Sequence, residues 1–291
     1  MPVRTGSPSR TAPFVGRNAG RVVLATFRVV GPGRAGGSLA AALEAVGHSP
    51  KGLLGRGEPV RDAARGVDVV VIATPDDAVG EVAARIEPVP GSAVLHVSGS
   101  LGLEVLEPHE RRGSLHPLVP LPTEEVGAAR LRSGVTFAVA GDPIARQLAL
   151  DLGGRPVEVD DERRTAYHAA AAIAANHLVA LLGQVERVAA AAGLPLDAFA
   201  GLVRAATDDA FSLGPRAALT GPASRGDWVT IERHRSALSA LPAPRTEVAA
   251  YDALVGLARR LRLDTAEDAG PLGSETPTSA DSGRGQTGQV A

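Results

Sequence analysis

The chain has 291 residues, 44% of them hydrophobic and 21% charged, with a formal net charge of −2. That length holds one large domain or two ordinary ones, and the balance leaves no basic footprint for nucleic acid and no lysine-rich patch for a membrane surface. The absence of cysteine excludes disulfides, thiolate nucleophiles and cysteine-ligated metals, and fits the cytoplasm.

Residues 1–20, rich in Ser, Pro, Gly and Arg, lack the apolar core of a secretory signal and read as a disordered lead. Residues 21–159 alternate short apolar runs with helical stretches, the signature of an open, doubly wound parallel sheet in an α/β domain. The first run ends at Thr26–Val30 and meets Gly31-Pro32-Gly33-Arg34-Ala35-Gly36, the spacing G-x-G-x-x-G. A helix follows from Arg34 to about Gly47. In that setting Gly31 makes a tight turn, Gly33 lets the backbone approach a pyrophosphate, and Gly36 lets helix and strand pack closely. The helix start offers unpaired N–H groups to phosphates.

The ribose-reading position lies at the end of KGLLGR. A carboxylate there selects NAD; here the residue is Arg56, which suits the 2′-phosphate of NADP, with Glu58 keeping NAD open. The next run, DVVVIATP, ends in Ala73, Thr74 and Pro75, which should border the nicotinamide ribose. AVLHVSGS then brings Ser98 and Ser100, and SLHP brings His116, to the same carboxyl edge. VTFAVAG and RPVEV supply further strands. No run reaches the roughly 18 apolar residues of a membrane span.

From residue 160 the strands stop. DDERRTAYHAAAAIAANHLVALLGQVERVAAAAG has no proline and reads as one long helix to Gly193, with an acidic first turn suited to a helix N-terminus. Further helices follow, making residues 160–265 an all-helical substrate and dimerisation domain. Between them TGPASRGD places Arg225 where it grips a substrate carboxylate or pairs locally with Asp227. Residues 266–291 read as a disordered tail.

GPGRAGGSL, VIATPDD, HVSGSLGLEVL, SLHPLVPLP, YHAAAAIAANHLVAL and LTGPASRGD, in this order, resemble a bacterial family. Its members join a Rossmann-like NADP-oxidoreductase domain to a helical domain of unknown function 2520. More distantly the layout is similar to 6-phosphogluconate and β-hydroxyacid dehydrogenases, ketopantoate reductases, pyrroline carboxylate reductases and prephenate dehydrogenases. The resemblance implies an NADP oxidoreductase that dimerises through its helices and works in a cleft between the two domains. It sets Ser98 at a substrate-contacting serine and His116-Pro117 at a substrate-side His-Pro pair.

One departure stands out. The dehydrogenases and ketopantoate reductases carry a catalytic lysine four residues before an asparagine on the long helix. Asn176 is present, but the lysine place is Ala172, and the sole lysine is Lys51. His168, Ala172 and Asn176 lie at i, i+4 and i+8, one helix face. His168 and His116 are therefore the candidate acid–base groups, with Asn176 orienting the substrate and Ser98 beside it. Three functions stay open: reduction or oxidation of a small oxo or hydroxy acid, a non-catalytic NADP sensor, and a pyrroline-type imine reductase.

Overall fold

A computed structural model describes residues 24–263. The expected lead and tail, residues 1–20 and 266–291, lie outside the described residues. The chain forms two compact units, one ending at Leu178 and the other starting at Val179.

The first unit is built on a seven-stranded sheet. In chain order its elements are β1 (Thr26–Val30), α1 (Arg34–Ala45), β2 (Ser49–Leu54), β3 (Val69–Ile72), α2 (Asp76–Arg85), β4 (Ala93–His96), β5 (Arg112–Pro117), α3 (Glu124–Leu131), β6 (Thr136–Gly141), α4 (Pro143–Asp151), β7 (Arg155–Glu158) and α5 (Asp161–Ala172). The spatial order is β2-β1-β3-β4-β5-β6-β7. The chain leaves β1 in one direction to reach β2 and in the other to reach β3. That reversal opens a crevice above the carboxyl ends of β1 and β3.

Period-two burial builds the two faces. Phe27, Val29, Val69, Val71, Leu95 and Leu115 point into a core closed by Leu39 and Leu43 of α1 and by Leu131 and Leu148. The alternate residues Val30, Val70, Ile72 and Val94 pack under Val79 and Ala83 of α2. Strands buried on both faces explain the continuous apolar runs in the sequence.

The sheet is not wholly parallel, as the sequence led us to expect: β5 and β6 pair antiparallel. The α3 connection closes as a wide hairpin, with the Leu118 N–H donating to the Thr136 carbonyl at 2.8 Å as the ladder's continuation. A hydrogen-bonded return at that end forces β6 to run back along β5.

The long helix also differs in detail from expectation. It runs through α5 into a π-helical turn, Ile173–His177, and on into α6 (Leu178–Ala191). By length and composition the run Asp161–Ala191 suffices to cross a membrane, and none of its most apolar window is buried. The π turn, which contains Asn176, takes more residues per revolution than the α-helix on either side of it.

The second unit contains α7 (Ala200–Leu213), α8 (Pro215–Ala218), α9 (Pro222–Arg225), α10 (Trp228–Ser239) and α11 (Pro244–Leu263) besides α6. Gly193, at φ 73°, takes the left-handed conformation that ends α6. Among the described residues its buried apolar side chains are few, Ala189, Ile231 and Leu238. Buried Glu247 accepts from Arg187 Nε at 2.6 Å, tying α11 to α6.

The glycine turn yields a direct test. A Cβ on Gly36 would stand 2.3 Å from the Gly31 carbonyl oxygen, whereas a Cβ on Gly33 meets nothing within 4 Å. Gly36→Ala therefore costs about 1–3 kcal/mol of stability. Gly33→Ala stays within about 0.5 kcal/mol. Urea unfolding of the two variants measures the contrast.

Candidate active site

The carboxyl edge of the sheet gathers most of the residues singled out from the sequence. At the β1 end, Gly31 has φ 89°, and a Cβ there would lie 2.9 Å from the backbone of Ala73 and Thr74. Gly31 N–H donates to the Leu54 carbonyl at 2.9 Å, joining the ends of β1 and β2. Gly33 is the N-cap of α1, and no side chain bonds into that helix start. Its first N–H groups thus face an open, Cβ-free space. The Thr74 hydroxyl oxygen is buried at the β3 end without a hydrogen-bond partner. Together these form a cradle suited to a dinucleotide's phosphates and ribose, and Pro32, Arg34 and Ala35 lie on it.

Arg56 is exposed just beyond β2, between Gly55 and Gly57. The Glu58 carboxylate turns back to accept from the Gly55 N–H. Glu58 therefore holds the loop, and Arg56 is left as its outward-facing charge.

At the β4 and β5 ends the polar groups form one network. Ser98 and Ser100 both donate to Asp76 Oδ2, at 2.8 and 2.6 Å. Ser98 Oγ also accepts from the N–H groups of Ser100 and Leu101, which sets the turn after β4. The turn function weighed for Ser98 from the sequence is thus real, and its hydroxyl serves the Asp76 contact as well.

His116, half-buried at the end of β5, bonds through Nδ1 to the Tyr167 hydroxyl at 2.6 Å. Its ring meets that of His168 edge to face, with centroids 6.0 Å apart. Gly99 makes room for both imidazoles, because a Cβ there would come within 2.7 Å of His168 and 2.9 Å of His116 Nε2. A cavity of about 200 Å³ lies alongside, lined by Ala35, Leu39, Val97, His116, Pro117, Val119 and Leu121. Ala35 of the cradle and His116 of the polar network therefore share one wall.

Below them Arg164 has no exposed surface. Its guanidinium donates to the Ser98 carbonyl at 3.3 Å and to the Ser114 hydroxyl, and it lies 3.5 Å from Asp161. His96, also fully buried, pairs in register with Ser114 across β4 and β5. Burial, aided by the Arg164 charge, lowers His96 from 6.5 to about 4. Burial lowers His116 to about 4 as well, with His168 and then Arg164 adding to it. Burial raises Tyr167 to about 12. The imidazoles are neutral at neutral pH, and the phenol keeps its proton.

The structure brings together Ser98, Ser100, His116 and His168, but not Asn176, which is exposed without a polar partner among the described residues. Arg225 is exposed at the end of α9, in the second unit. The local Arg225–Asp227 interaction weighed from the sequence is there as a charge effect, Arg225 adding to the Thr230 bonds that lower the Asp227 carboxyl, and Asp227 also caps a helix. Asp227 accepts from the Thr230 N–H at 3.1 Å and from its hydroxyl at 2.8 Å, fixing the start of α10. Other histidines serve the frame: His48 accepts from Ala25 N–H and lies 3.2 Å from Asp151, and His109 donates to the Ala83 carbonyl.

Tyr167, Arg164 and Gly99 were missed by sequence reasoning. Tyr167 stands beside His168 and is one of only two tyrosines, a weak signal. Arg164 sits in a charged run, Asp160 to Arg164, that reads as a solvated helix start.

Two histidines held neutral make stability pH-dependent. Their folded midpoints, about 4, lie below the ordinary 6.5, so the unfolded chain binds more protons between those values. Stability is complete above pH 6.5 and falls as pH drops toward 4. Urea midpoints measured across that range should fall, and His96→Asn should flatten the fall.

Residues 55–122 match the Rossmann-like domain family, and residues 134–257 match the domain of unknown function 2520. No curated protein matches the chain. Among solved structures, the putative NADP oxidoreductase BF3122 from Bacteroides fragilis is 20% identical, with a TM-score of 0.67 over 82% of this chain and 100% of that one. A reductive aminase from Aspergillus terreus, in complex with NADPH4, cyclohexanone and allyl amine, is 16% identical, with a TM-score of 0.61 over 83% and 95%. The pyrroline carboxylate reductase of Plasmodium falciparum, with NADP bound, is 12% identical, with a TM-score of 0.55 over 84% and 100%. At these identities the likeness is one of fold. The chain joins a Rossmann-like domain to a domain of unknown function 2520, the two-part family that its motifs resemble.

Proposed function

We propose that the protein is an NADP-dependent reductase acting on a polarised double bond, C=O or C=N, of a small molecule. The observation that carries this is the 2.6 Å contact between Tyr167 and His116 on the wall of the cavity that also meets Ala35 of the glycine cradle. The Gly31–Gly36 turn and Arg56 would hold NADPH, which would supply the hydride. The residues of this chain handle the proton. Tyr167 O–H donates to His116 Nδ1, so the neutral imidazole carries its own proton on Nε2. As Nε2 gives its proton to the substrate heteroatom, the Tyr167 O–H passes its own to Nδ1; solvent then protonates Nε2 and the Nδ1 proton returns to the Tyr167 oxygen, which restores the starting tautomer.

The imine reading gains from Asp76. Its carboxylate is exposed, and one oxygen is held by two serine hydroxyls, so a fixed negative charge faces a substrate nitrogen that is cationic once protonated. The reductive aminase and pyrroline carboxylate reductase among the neighbours support the same chemistry. An oxo acid requires a cation for its carboxylate instead, the part expected of Arg225.

NADPH consumption with a panel of cyclic imines and small 2-oxo acids tests the reading. His116→Gln and Tyr167→Phe should each lower kcat by about 10²–10⁴ while leaving NADPH binding intact. Arg56→Ala should weaken NADPH and not NADH. Tight NADPH binding with no turnover anywhere in the panel would favour a cofactor-binding regulator.

We also propose a homodimer formed through the helices. The helix α7 buries no residue, and Phe211 on it is 90% exposed, with Leu202 at 67% and Leu213 at 62%. An apolar surface of that kind calls for a second copy. Light scattering should give twice the chain mass, and Phe211→Glu with Leu202→Glu should reduce it to one.

A further inference from the structure

We infer that Arg164 is the positioning residue of this site: one buried guanidinium fastens the three segments that carry Ser98, His116 and Tyr167. The role of His116 in this rests on the proposed function above; the tether itself does not.

The geometry is specific. Arg164 bonds the Ser98 carbonyl, which fixes the loop after β4. It bonds the Ser114 hydroxyl, two residues before His116 on β5. It belongs to the first turn of α5, three residues before Tyr167 and four before His168. Asp161 completes the clamp: Oδ1 lies 3.5 Å from Arg164 Nε, while Oδ2 accepts the Leu103 N–H at 2.9 Å. The β4 loop, β5, the Leu103 turn and α5 thus meet at one ion pair. Only a planar fork with several donors reaches that many acceptors, so lysine is a poor substitute.

Arg164 is also unlike a ligand-binding arginine. With no exposed surface it cannot touch a substrate. A charge sealed there acts on its neighbours through a poorly screening interior. The groups facing His116 are Tyr167, His168 and Arg164 from α5, His96 from β4 and Asp76 at the start of α2. Of these, Arg164 is the fixed cation. Burial first, then the charges of His168 and Arg164, oppose protonation of His116, which leaves it an acceptor at Nδ1 for the Tyr167 hydroxyl. A protonated His116 would have no lone pair there.

The experiment is a histidine NMR titration of full-length wild type, Arg164→Met and Arg164→Lys, with His116→Gln assigning the resonance. It needs no substrate, so it stands apart from the turnover assays that test the reductase reading. In Arg164→Met the His116 midpoint should rise from about 4 only part of the way toward 6.5, because burial, the larger cause, remains. In Arg164→Lys, which keeps the charge but loses most of the clamp, the midpoint should stay low. A midpoint still near 4 in Arg164→Met overturns the charge role.

Ser114→Ala removes one tether bond, leaves the cation in place and tests the clamp if Arg164→Met does not fold. It should keep the low midpoint, weaken the Tyr167–His116 coupling seen in the imidazole 15N shifts, and lower kcat/KM for any substrate found by about 10², the scale of a misplacement near 1 Å. Wild-type 15N shifts in Ser114→Ala overturn the tether.

Discussion

Where β1 turns toward α1, the backbone of Gly31 lies against the backbone of Ala73 and Thr74, closer than any side chain allows. That contact sets the distance between the first and third strands at their carboxyl ends. Gly36 repeats the constraint one helical turn later, against the Gly31 carbonyl, Ala73 and Val29. With both contacts made, the start of α1 points its free N–H groups over the crevice, and Ala35 falls on the cavity wall beside His116. The cofactor cradle and the polar edge are therefore placed by the same packing. Neither depends on a long flexible loop, and the strands below both are buried on two faces.

The electrostatics of the edge follow from what is buried. His96 and Arg164 are sealed, and Asp76 is open to solvent. Burial, with the interior cation adding to it, holds His96 and His116 neutral, while the exposed carboxylate accepts from two serine hydroxyls. The accessible face of this unit's site is thus neutral to negative, although the nearest fixed interior charge is positive. A neutral imidazole is a weaker acid than imidazolium but a good relay, since it accepts at one nitrogen and donates at the other.

Much of the frame was legible in the sequence. The strand ending at Val30, the glycine turn and the helix from Arg34 appear where the fingerprint and its context place them. Continuous apolar runs identified β3 and β4 because both faces of those strands are covered. The reversal of β6 was not legible, because a wide hairpin closed by α3 looks in sequence like one more crossover. The site was read in part. Ser98 and His116 stand at strand ends, where topology predicts ligands, so their position alone pointed to them. Arg164 did not stand out, because burial of an arginine in an acidic helix start depends on loops 50 and 66 residues away. Asn176, placed with His168 by the i, i+8 spacing, lies in the π turn Ile173–His177 and is exposed.

The missing lysine then has a structural answer. This chain instead carries the polar group one turn earlier on α5, as the Tyr167 hydroxyl, and places the imidazole it meets on β5. In the proposed reaction the proton would pass between helix and strand rather than along the helix. The backbone that carries the imidazole is held by the β5–β6 ladder, in which His116 faces Ala138. Gly99, lying against both histidine rings, keeps its turn from displacing them. The helix needs only to deliver a hydroxyl, and its first turn is already anchored through Arg164. A fixed strand and a pinned helix start supply, with uncharged groups, the geometry that a lysine would otherwise supply from a long flexible stem.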